Sequence, residues 1–296
     1  MGVKKSGGGQ RRGRGFTLIE LVVVIGAITI VVGILLPVLG KARRQALTVV
    51  NMSNQRQVVT GVDCFASDND ESYPESAAAI GRLDGYWNWQ EPMMIVMPDY
   101  VDPRRHRSMS AYLRSYIPDA GVMFCPCAPR RYTYYQRAWD AGDEWDHPGT
   151  PMPMDRLVGT YCFYWNYLGC LEEGRLFLGP SGPEYGGGQS ELVVSDYFGY
   201  GHWRNKEPYG TYEVYNSCEK FKGSSVLAET YDVAASWAGL PRRNVKLHAG
   251  YTDGHVETFK SSEAVPMKVS ITPDGSKPYP SGVGAGIIYL PENAVD

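Results

Sequence analysis

An apolar run near the N-terminus constrains this chain more than any other feature. The run extends from Phe16 to Leu39, and Glu20 is the one charged residue inside it. As a helix, these 24 residues would reach about 36 Å at ~1.5 Å per residue, which exceeds the ~30 Å hydrocarbon layer of a bilayer. The run is therefore predicted to be a membrane-spanning helix.

The residues before the run predict its orientation. Five basic residues and no acid precede it: Lys4, Lys5, Arg11, Arg12 and Arg14. By the positive-inside rule, the N-terminus stays in the cytoplasm and the rest of the chain lies outside it. A secretory signal peptide has a shorter apolar core that ends at a small-residue cleavage site, and no convincing site of that kind follows this run. Residues 16–40 are thus predicted to be the transmembrane half of a helix.

A motif lies at the boundary between the polar, basic residues and the apolar run. Its six residues are Gly15, Phe16, Thr17, Leu18, Ile19 and Glu20. They resemble, position by position, the leader of type IV prepilins and type II secretion pseudopilins. The resemblance implies that a prepilin peptidase cuts after Gly15, removes residues 1–15 and methylates Phe16. It also implies that the partners are the inner membrane, other pilin or pseudopilin subunits, and the assembly machinery of a pilus or secretion system.

Glu20 is the residue that separates a filament subunit from a plain anchor. A carboxylate at membrane depth costs about 2.5–3.5 kcal/mol, so an intramembrane acid is by default a functional residue with a partner. The resemblance implies that this partner is the Phe16 amine of a neighbouring subunit. In the other interpretation, Glu20 lies near the membrane surface of a simple anchor. Pro37 should interrupt the helix near its end, where the family tolerates a kinked or melted turn, and Gly33 and Gly40 fit such a turn.

Beyond Gly40 the helix is predicted to continue as an amphipathic segment over residues 41–68. Apolar residues recur there mostly at steps of three or four, which indicates one apolar face. They are Ala46, Leu47, Val50, Val58, Val62 and Phe65. The face should pack on a globular domain formed by residues 69–296. The predicted class is α+β and pilin-like: a long N-terminal helix packed on an antiparallel sheet, with long loop insertions at about residues 75–158.

A second resemblance covers the end of the helix. Asn54, Gln55, Arg56 and Gln57 match an Asn-Leu-Arg-Gln turn, with Gln55 in place of Leu, and Asp68, Asn69, Asp70, Tyr73 and Pro74 match an Asp-Asn-Asp segment with its following Tyr/Phe-Pro. Both belong to a branch related to type II secretion pseudopilins. Carboxylates at Asp68, Asp70 and Glu71 could hold calcium, which prefers oxygen ligands, but the alternating calcium loop is missing. A polar helix end with an Asx-type turn is the favoured interpretation, and no cofactor is predicted.

Charge and cysteine content restrict the partners and the compartment. Without the leader, 24 basic and 32 acidic side chains remain, so nucleic acid is not an expected partner. All six cysteines lie on the predicted outer side, where disulfides persist. The sequence leaves their pairing open. Cys162 and Cys170 flank YWNYLG, a plausible hairpin, and are the first pair to test.

The C-terminal part contains the best candidate for chemistry. Residues 245–259 look like two strands, and Asp253-Gly254 between them predicts a hairpin with a type I′ turn. The resembled branch has a His separated from its Asp-Gly by nine intervening residues, a position that Arg243 occupies here, whereas His248 and His255 lie nearer the turn. Imidazoles and a carboxylate can share a zinc ion or relay a proton. The favoured interpretation is nevertheless that these side chains belong to a hairpin and form hydrogen bonds with the backbone or with solvent.

No reaction can be assigned from the sequence, and the chain is predicted not to be an enzyme. Neither a G-x-S-x-G elbow nor an HExxH helix is present. The alternative is a membrane-anchored outer domain that binds a glycan or a metal through Trp87, Trp89 or His248, and a tethered hydrolase is a weaker option. The expected function is a prepilin-like subunit of a type IV pilus or a secretion pseudopilus, and the sequence leaves both that choice and the choice of major or minor subunit open.

Overall fold

The structure is a computed structural model that describes part of the chain. The described residues are 16–81, 87–89, 92–97, 107–126, 135–142, 157–171, 175–200, 213–214, 246–269 and 286–295. The chain forms two compact units, Met1–Gln45 and Ala46–Asp296. Arg243 and the segment SSVLAE at 224–229, whose sequence also predicts a strand, lie outside the described residues.

A single long helix, α1, runs from Leu18 to Asp68. By length and composition it is the one helix among the described residues that could cross a membrane. Its large apolar side chains from Leu18 to Leu39 are all exposed within the isolated chain. The helix passes through Pro37 without ending, which differs from the predicted interruption. Proline removes one hydrogen bond, to the carbonyl four residues earlier, and the aliphatic turns on either side keep theirs.

The later part of α1 packs on the rest of its compact unit through a face that is only partly apolar. Its buried residues are Asn51, Gln55, Val58, Val59, Gly61, Val62 and Ala66. Val50, predicted on this face, is 45% exposed, whereas Asn51 and Gln55 are fully buried. The spacing of three and four is thus correct, but two polar residues occupy the start of the stripe. They can be buried there because the sheet supplies hydrogen-bond partners for them.

Fifteen short strands and two short α-helices follow α1 in the part of the chain that the structure describes. The strands are β1 Ala79–Gly81, β2 Trp87–Trp89, β3 Met94–Met97, β4 Arg107–Ser108, β5 Leu157–Val158, β6 Tyr161–Phe163, β7 Leu168–Leu171, β8 Leu176–Leu178, β9 Leu192–Asp196, β10 Phe198–Tyr200, β11 Glu213–Val214, β12 Lys246–Tyr251, β13 Val256–Lys260, β14 Ala264–Val269 and β15 Gly286–Pro291. The helices are α2 Met109–Leu113 and α3 Tyr135–Ala141.

The strands form antiparallel sheets. The largest has six strands in the order β11-β10-β15-β14-β7-β8, and a second has four in the order β13-β12-β9-β6. Smaller sheets contain β4-β3-β5 and β1-β2. Every strand pair in these sheets is antiparallel. The predicted α+β class, with a long N-terminal helix packed on antiparallel sheet, is confirmed.

The four-stranded sheet lies between two apolar clusters. Along β6, Tyr161 and Phe163 join the cluster that includes Val58, Val59 and Val62 of α1. The intervening Cys162 joins the other cluster, which contains residues of the six-stranded sheet such as Met267 and Ile288. This alternation follows from the two-residue period of a strand. Both faces of the four-stranded sheet are therefore covered, one by the helix and one by the second sheet.

The segment YWNYLG does not form the predicted hairpin between Cys162 and Cys170. Cys162 lies on β6, which pairs with β9, whereas Cys170 lies on β7, which pairs with β8 and β14 in the other sheet. The two thiols are buried and are not joined. The connecting turn, in which the Tyr167 N–H donates to the Tyr164 carbonyl at 3.1 Å, leads the chain from one sheet to the other instead of reversing it within one.

Candidate functional site

Thr17 and Glu20 form a capping box at the start of α1. The Glu20 carboxylate accepts hydrogen bonds through Oε2 from the Thr17 N–H at 2.9 Å and from Thr17 Oγ1 at 2.8 Å. In return, the Glu20 N–H donates to Thr17 Oγ1 at 3.3 Å. Reciprocal bonds of this kind satisfy donors that a helix start otherwise leaves open. The acid that is costly in an apolar run therefore has a local structural role at the first helical turn.

The capping box uses only one oxygen of the Glu20 carboxylate. Within the described residues, both hydrogen bonds to the Glu20 side chain come from Thr17 and end at Oε2. Oε1 accepts no hydrogen bond from the described residues. Phe16, the residue that the leader motif places at the new N-terminus, is 79% exposed beside this turn. The first helical turn thus presents an open carboxylate oxygen among exposed aliphatic side chains.

A different carboxylate, that of Asp196, is enclosed by the fold. Asp196 ends β9 and is fully buried. Its Oδ1 accepts from Asn51 Nδ2 at 2.9 Å and from Gln55 Nε2 at 2.7 Å. Its Oδ2 accepts from the His248 N–H at 2.9 Å and lies 2.8 Å from His248 Nδ1. Two polar groups of α1 and two of β12 therefore converge on one buried side chain.

Tyr161 extends this buried polar cluster, which we define as Asn51, Gln55, Tyr161, Asp196 and His248. The Tyr161 hydroxyl donates to Asn51 Oδ1 at 2.7 Å. Burial raises the pKa of Tyr161 well above its usual value, with smaller contributions from the Cys125 and Asp196 side chains, so the hydroxyl stays a donor. The one buried side-chain atom of the cluster without a partner is Gln55 Oε1, within the part of the chain that the structure describes.

The buried polar cluster ties α1 to the four-stranded sheet. Asn51 and Gln55 stand one turn apart on the helix, so both amides reach the same carboxylate. Tyr161, Asp196 and His248 lie on three strands that are neighbours in the order β12-β9-β6. Leaving one of these buried donors unpaired would cost about 1–3 kcal/mol. The cluster therefore favours one position of the helix on the sheet over its neighbours.

His248, Asp253 and His255 do not come together. The His248 ring is buried against Asp196, whereas Asp253 and His255 lie at the exposed end of the β12–β13 hairpin. Asp253 Oδ1 accepts from the His255 N–H at 3.0 Å and also contacts His255 Nδ1. The His255 ring stacks on Tyr251 at 4.4 Å with an interplanar angle of 6°. These contacts stabilise a turn and do not assemble a proton relay.

The hairpin turn is not the predicted type I′. A type I′ turn needs positive φ at both central residues, but Gly254 has a φ of 81° while Asp253 is not among the described residues with positive φ. The Gly254 N–H donates to the Tyr251 carbonyl at 2.9 Å, and the Tyr251 N–H donates to the His255 carbonyl at 3.1 Å. This pattern is a three-residue loop with glycine in the left-handed position, a common alternative for an Asp-Gly hairpin.

The weak calcium candidates are parts of a helix end. Asp68 Oδ2 accepts from the Tyr116 hydroxyl at 2.7 Å, and Asp70 and Glu71 have φ values of 52° and 53° just after the helix. No group of three or more His, Cys, Asp or Glu side chains among the described residues could hold a metal ion. The metal-binding alternative therefore has no ligand set in this part of the molecule.

Trp87 and Trp89, the candidates for glycan binding, belong to β2, which pairs with β1, and their side chains lie outside the described residues.

Reasoning from the sequence missed Asp196, Tyr161 and Asn51. The available signal was Gln55, a polar residue where the resembled helix turn has Leu, which indicates that something in the sheet must satisfy it. His248 was singled out as a candidate for chemistry, and the structure assigns it a buried contact with Asp196 instead. Asp196 ends a strand of five buried residues, LVVSD. From the sequence alone nothing indicates that a helix amide reaches this position, so its role cannot be predicted before the helix is packed on the sheet.

Comparison with known proteins identifies the N-terminal segment. Residues 10–36 match the family described as "Prokaryotic N-terminal methylation motif", which is the prepilin-like cleavage and methylation signature. The match covers Gly15, Phe16 and Glu20, and it supports a chain of the type IV pilin and pseudopilin class, a class of structural subunits. No curated protein and no solved structure matches the chain. The remainder of the chain, including the buried polar cluster, is therefore interpreted from its own geometry.

Proposed function

We propose that this chain, which carries the prepilin-like methylation motif, is a subunit of a type IV pilus or a type II secretion pseudopilus. In this proposal a prepilin peptidase cuts after Gly15 and methylates Phe16, and the mature chain is then assembled with other subunits. The observation that carries the proposal is the match over residues 10–36, which includes the single acid of an otherwise apolar run. The role is one of assembly, not catalysis.

Before assembly, the subunit would be held in the bacterial inner membrane by the first part of α1. Two facts support this step: the helix is long and apolar enough to span a bilayer, and the basic leader favours a cytoplasmic N-terminus. Residues 69–296 would then lie in the periplasm, and at the cell surface once a pilus forms. Because Lys4, Lys5, Arg11, Arg12 and Arg14 all belong to the leader, cleavage would remove every basic side chain before the span.

Glu20 would set the position of each subunit against the next. The capping box with Thr17 occupies Oε2 of the carboxylate and leaves Oε1 for a neighbour. Cleavage after Gly15 creates the complementary charge, because it turns Phe16 into a residue with a free amine. A pair between the Glu20 carboxylate of one subunit and the Phe16 amine of the next would compensate both charges where water is excluded. Two subunits out of register would leave both charges uncompensated.

The buried polar cluster would support assembly indirectly. A subunit drawn into a filament by its helix must keep its globular part attached to that helix. Asn51 and Gln55 belong to α1 and are bound to Asp196 of β9. Apolar packing of Val58, Val59 and Val62 alone would tolerate small shifts along the helix axis, whereas directed hydrogen bonds to one carboxylate would not.

The deciding experiment is mass spectrometry of the N-terminus of the native protein. We expect the first residue to be a methylated Phe16. A Gly15→Val variant, which places a branched side chain at the cleavage site, should retain the leader and serves as the control. An intact leader in the wild-type protein, or cleavage beyond the apolar run, would contradict the proposal.

A further inference from the structure

A groove borders the outer strand of the six-stranded sheet. It is formed by β8 (Leu176–Leu178), the loop from Tyr185 to Glu191, and the C-terminal turn Asn293–Val295, and it encloses a cavity of about 240 Å³. We call it the edge groove. Neither the leader motif nor the buried polar cluster involves these residues. The cavity is smaller than the ~300–1,000 Å³ of typical small-molecule sites, so its size suits a single side chain.

The backbone of β8 is open along this groove. The Leu171 N–H donates to the Arg175 carbonyl at 2.7 Å, and the Gly179 N–H donates to the Tyr167 carbonyl at 2.9 Å. Odd-numbered residues of β8 therefore bond to β7, and the N–H and C=O groups of Leu176 and Leu178 point to the outer edge. The Leu178 carbonyl accepts from the Ser190 N–H at 2.7 Å. Within the described residues, the other three outward groups have no partner.

The open edge is also apolar. Leu176 is 47% exposed and Leu178 is 39% exposed. Among the side chains that the structure describes after Val50, these are the only large aliphatic ones that are exposed. An open edge strand with apolar side chains is a template for another strand, and proteins normally cover or charge such an edge. Here three unpaired backbone groups and two exposed leucines occur together.

The opposite wall of the edge groove is polar and acidic. Glu191 lines the cavity and accepts a hydrogen bond through Oε1 from the Tyr185 hydroxyl, and Oε2 has no hydrogen-bond partner among the described residues. Behind it, Asn293 Nδ2 donates to Glu257 Oε1 at 2.7 Å. Arg175, which precedes β8, donates to the Val295 carbonyl at 3.3 Å. The cavity therefore combines an aliphatic wall with a carboxylate.

A lysine or arginine side chain fits this combination. Its apolar stem can lie along Leu176 and Leu178 while its charged head reaches Glu191. An extended segment that carries this side chain can at the same time pair with the open edge of β8, as in other cases where a peptide adds a strand to a sheet. The mature chain has 32 acidic and 24 basic side chains, so a basic segment from a different protein suits it better than a second copy.

We propose that the edge groove binds an extended, basic segment of another protein, which adds a strand to β8 and places a lysine or arginine beside Glu191. The proposal concerns a partner contact and does not depend on cleavage or filament assembly. It assigns separate roles to the two walls: the edge of β8 provides affinity through the backbone, and Glu191 selects the charge.

The test uses the full-length protein in detergent micelles and the peptide acetyl-Thr-Val-Lys-Val-Thr-amide, with binding measured by calorimetry. We expect saturable binding, with affinity reduced about fivefold when the peptide lysine is replaced by Gln or when the protein carries Glu191→Gln, as for a partly exposed charge pair. Glu292→Gln changes an exposed acid of the adjacent turn that does not line the cavity, and should leave binding unchanged.

Two further reagents test the strand addition. Leu176→Pro removes an outward N–H and no bond to β7, so the fold should survive while binding is lost. A peptide with N-methylated backbone amides should fail to bind the unaltered protein, which tests the same step without any protein variant. The proposal would be overturned if the methylated peptide, or a peptide with Glu in place of Lys, bound as well as the original peptide. It would also be overturned if no binding were seen at about 1 mM peptide, where a dissociation constant corresponds to a binding free energy of only ~4 kcal/mol. Self-association that Leu176→Pro abolishes, without peptide binding, would assign the edge groove to a second copy and also overturn it.

Discussion

Glu20 and Asp196 are both carboxylates in costly surroundings, but the fold treats them differently. Asp196 is buried in the globular unit and its two oxygens accept from Asn51, Gln55 and His248. Glu20 lies in the apolar run, and within the described residues its carboxylate has only Thr17 as a partner. Both oxygens of Asp196 have hydrogen-bond partners in the same chain, whereas among the described residues only Oε2 of Glu20 has one. A buried charge with an unused hydrogen-bonding oxygen needs a partner, so Glu20 and not Asp196 is expected to contact a neighbouring subunit.

The largest effect is expected from Asp196→Ala. The substitution removes the buried acceptor that the Asn51 and Gln55 amides share with two His248 donors. Only the contacts of Gln55 Nε2 with the His248 carbonyl at 3.4 Å and of Asn51 Nδ2 with His248 Nδ1 at 3.2 Å remain. We expect the free energy of unfolding to fall by about 3–5 kcal/mol, the range for breaking a buried charged interaction. Denaturant unfolding of the full chain in micelles, followed by tryptophan fluorescence, measures the loss.

Two comparisons sharpen the Asp196 result. Asp196→Asn keeps one oxygen but turns an amide donor toward the His248 donors, so an intermediate loss is expected. Glu184→Gln, at an exposed acid, should change the free energy of unfolding by less than about 0.5 kcal/mol. An Asp196→Ala protein as stable as the wild type would mean that the buried polar cluster does not hold the helix to the sheet.

Glu20→Ala should have the opposite pattern, with assembly lost and the stability of the globular unit unchanged. Without the carboxylate, the Phe16 amine of the next subunit has no partner in an apolar environment, at a cost of about 3 kcal/mol per contact, or roughly a hundredfold in equilibrium. Filament counts in cells by electron microscopy measure the effect. Thr29→Val is the matched control, because it removes a polar group that bonds only within the helix, to the Ile25 carbonyl at 2.8 Å. Normal filaments in Glu20→Ala cells would refute the pairing of Glu20 with a neighbour.

A smaller effect is expected from Gln55→Leu, which restores the residue of the resembled helix turn. Asp196 loses one donor, but the unpartnered Gln55 Oε1 disappears from the core. The two changes partly cancel, so the expected loss in the free energy of unfolding is about 1 kcal/mol by the same denaturation assay. Gln57→Leu, at an exposed position of the same helix, is the control. A loss as large as that of Asp196→Ala would show that Gln55 alone carries the cluster.

The smallest effect concerns the exposed pair at the hairpin turn. The His255 backbone N–H, and then its ring, lower the pKa of Asp253. Because the folded pKa is the lower one, the stabilisation is present above the unfolded pKa of ~3.9 and is lost as the pH falls through the folded pKa. Asp253→Asn should therefore destabilise the chain by less than about 0.5 kcal/mol near neutral pH, since the pair is exposed. The difference between variant and wild type should vanish in acid, and a difference that grows in acid would contradict this sign.

Much of the architecture could be predicted where it depends on local patterns. The periodicity of apolar residues predicted a continuous helix, and α1 ends at Asp68. The Asp-Gly hairpin between β12 and β13 is present, although its turn is of another type. Pairing between β6 and β7 could not be predicted correctly, because the turn from Tyr164 to Tyr167 leads to another sheet, and neighbouring strands in sequence need not be neighbours in space.

The N-terminal segment could be predicted from the sequence because its features depend only on residues that are close together in the chain. The length of the apolar run, the single acid and the residues around Gly15 act through their order along one helix. The contacts of the buried polar cluster, in contrast, depend on tertiary packing. Asp196 lies 145 residues from Asn51, 141 from Gln55 and 52 from His248. No local propensity encodes such contacts, since they exist only when α1 packs on the sheet in one register and places its amides against one carboxylate.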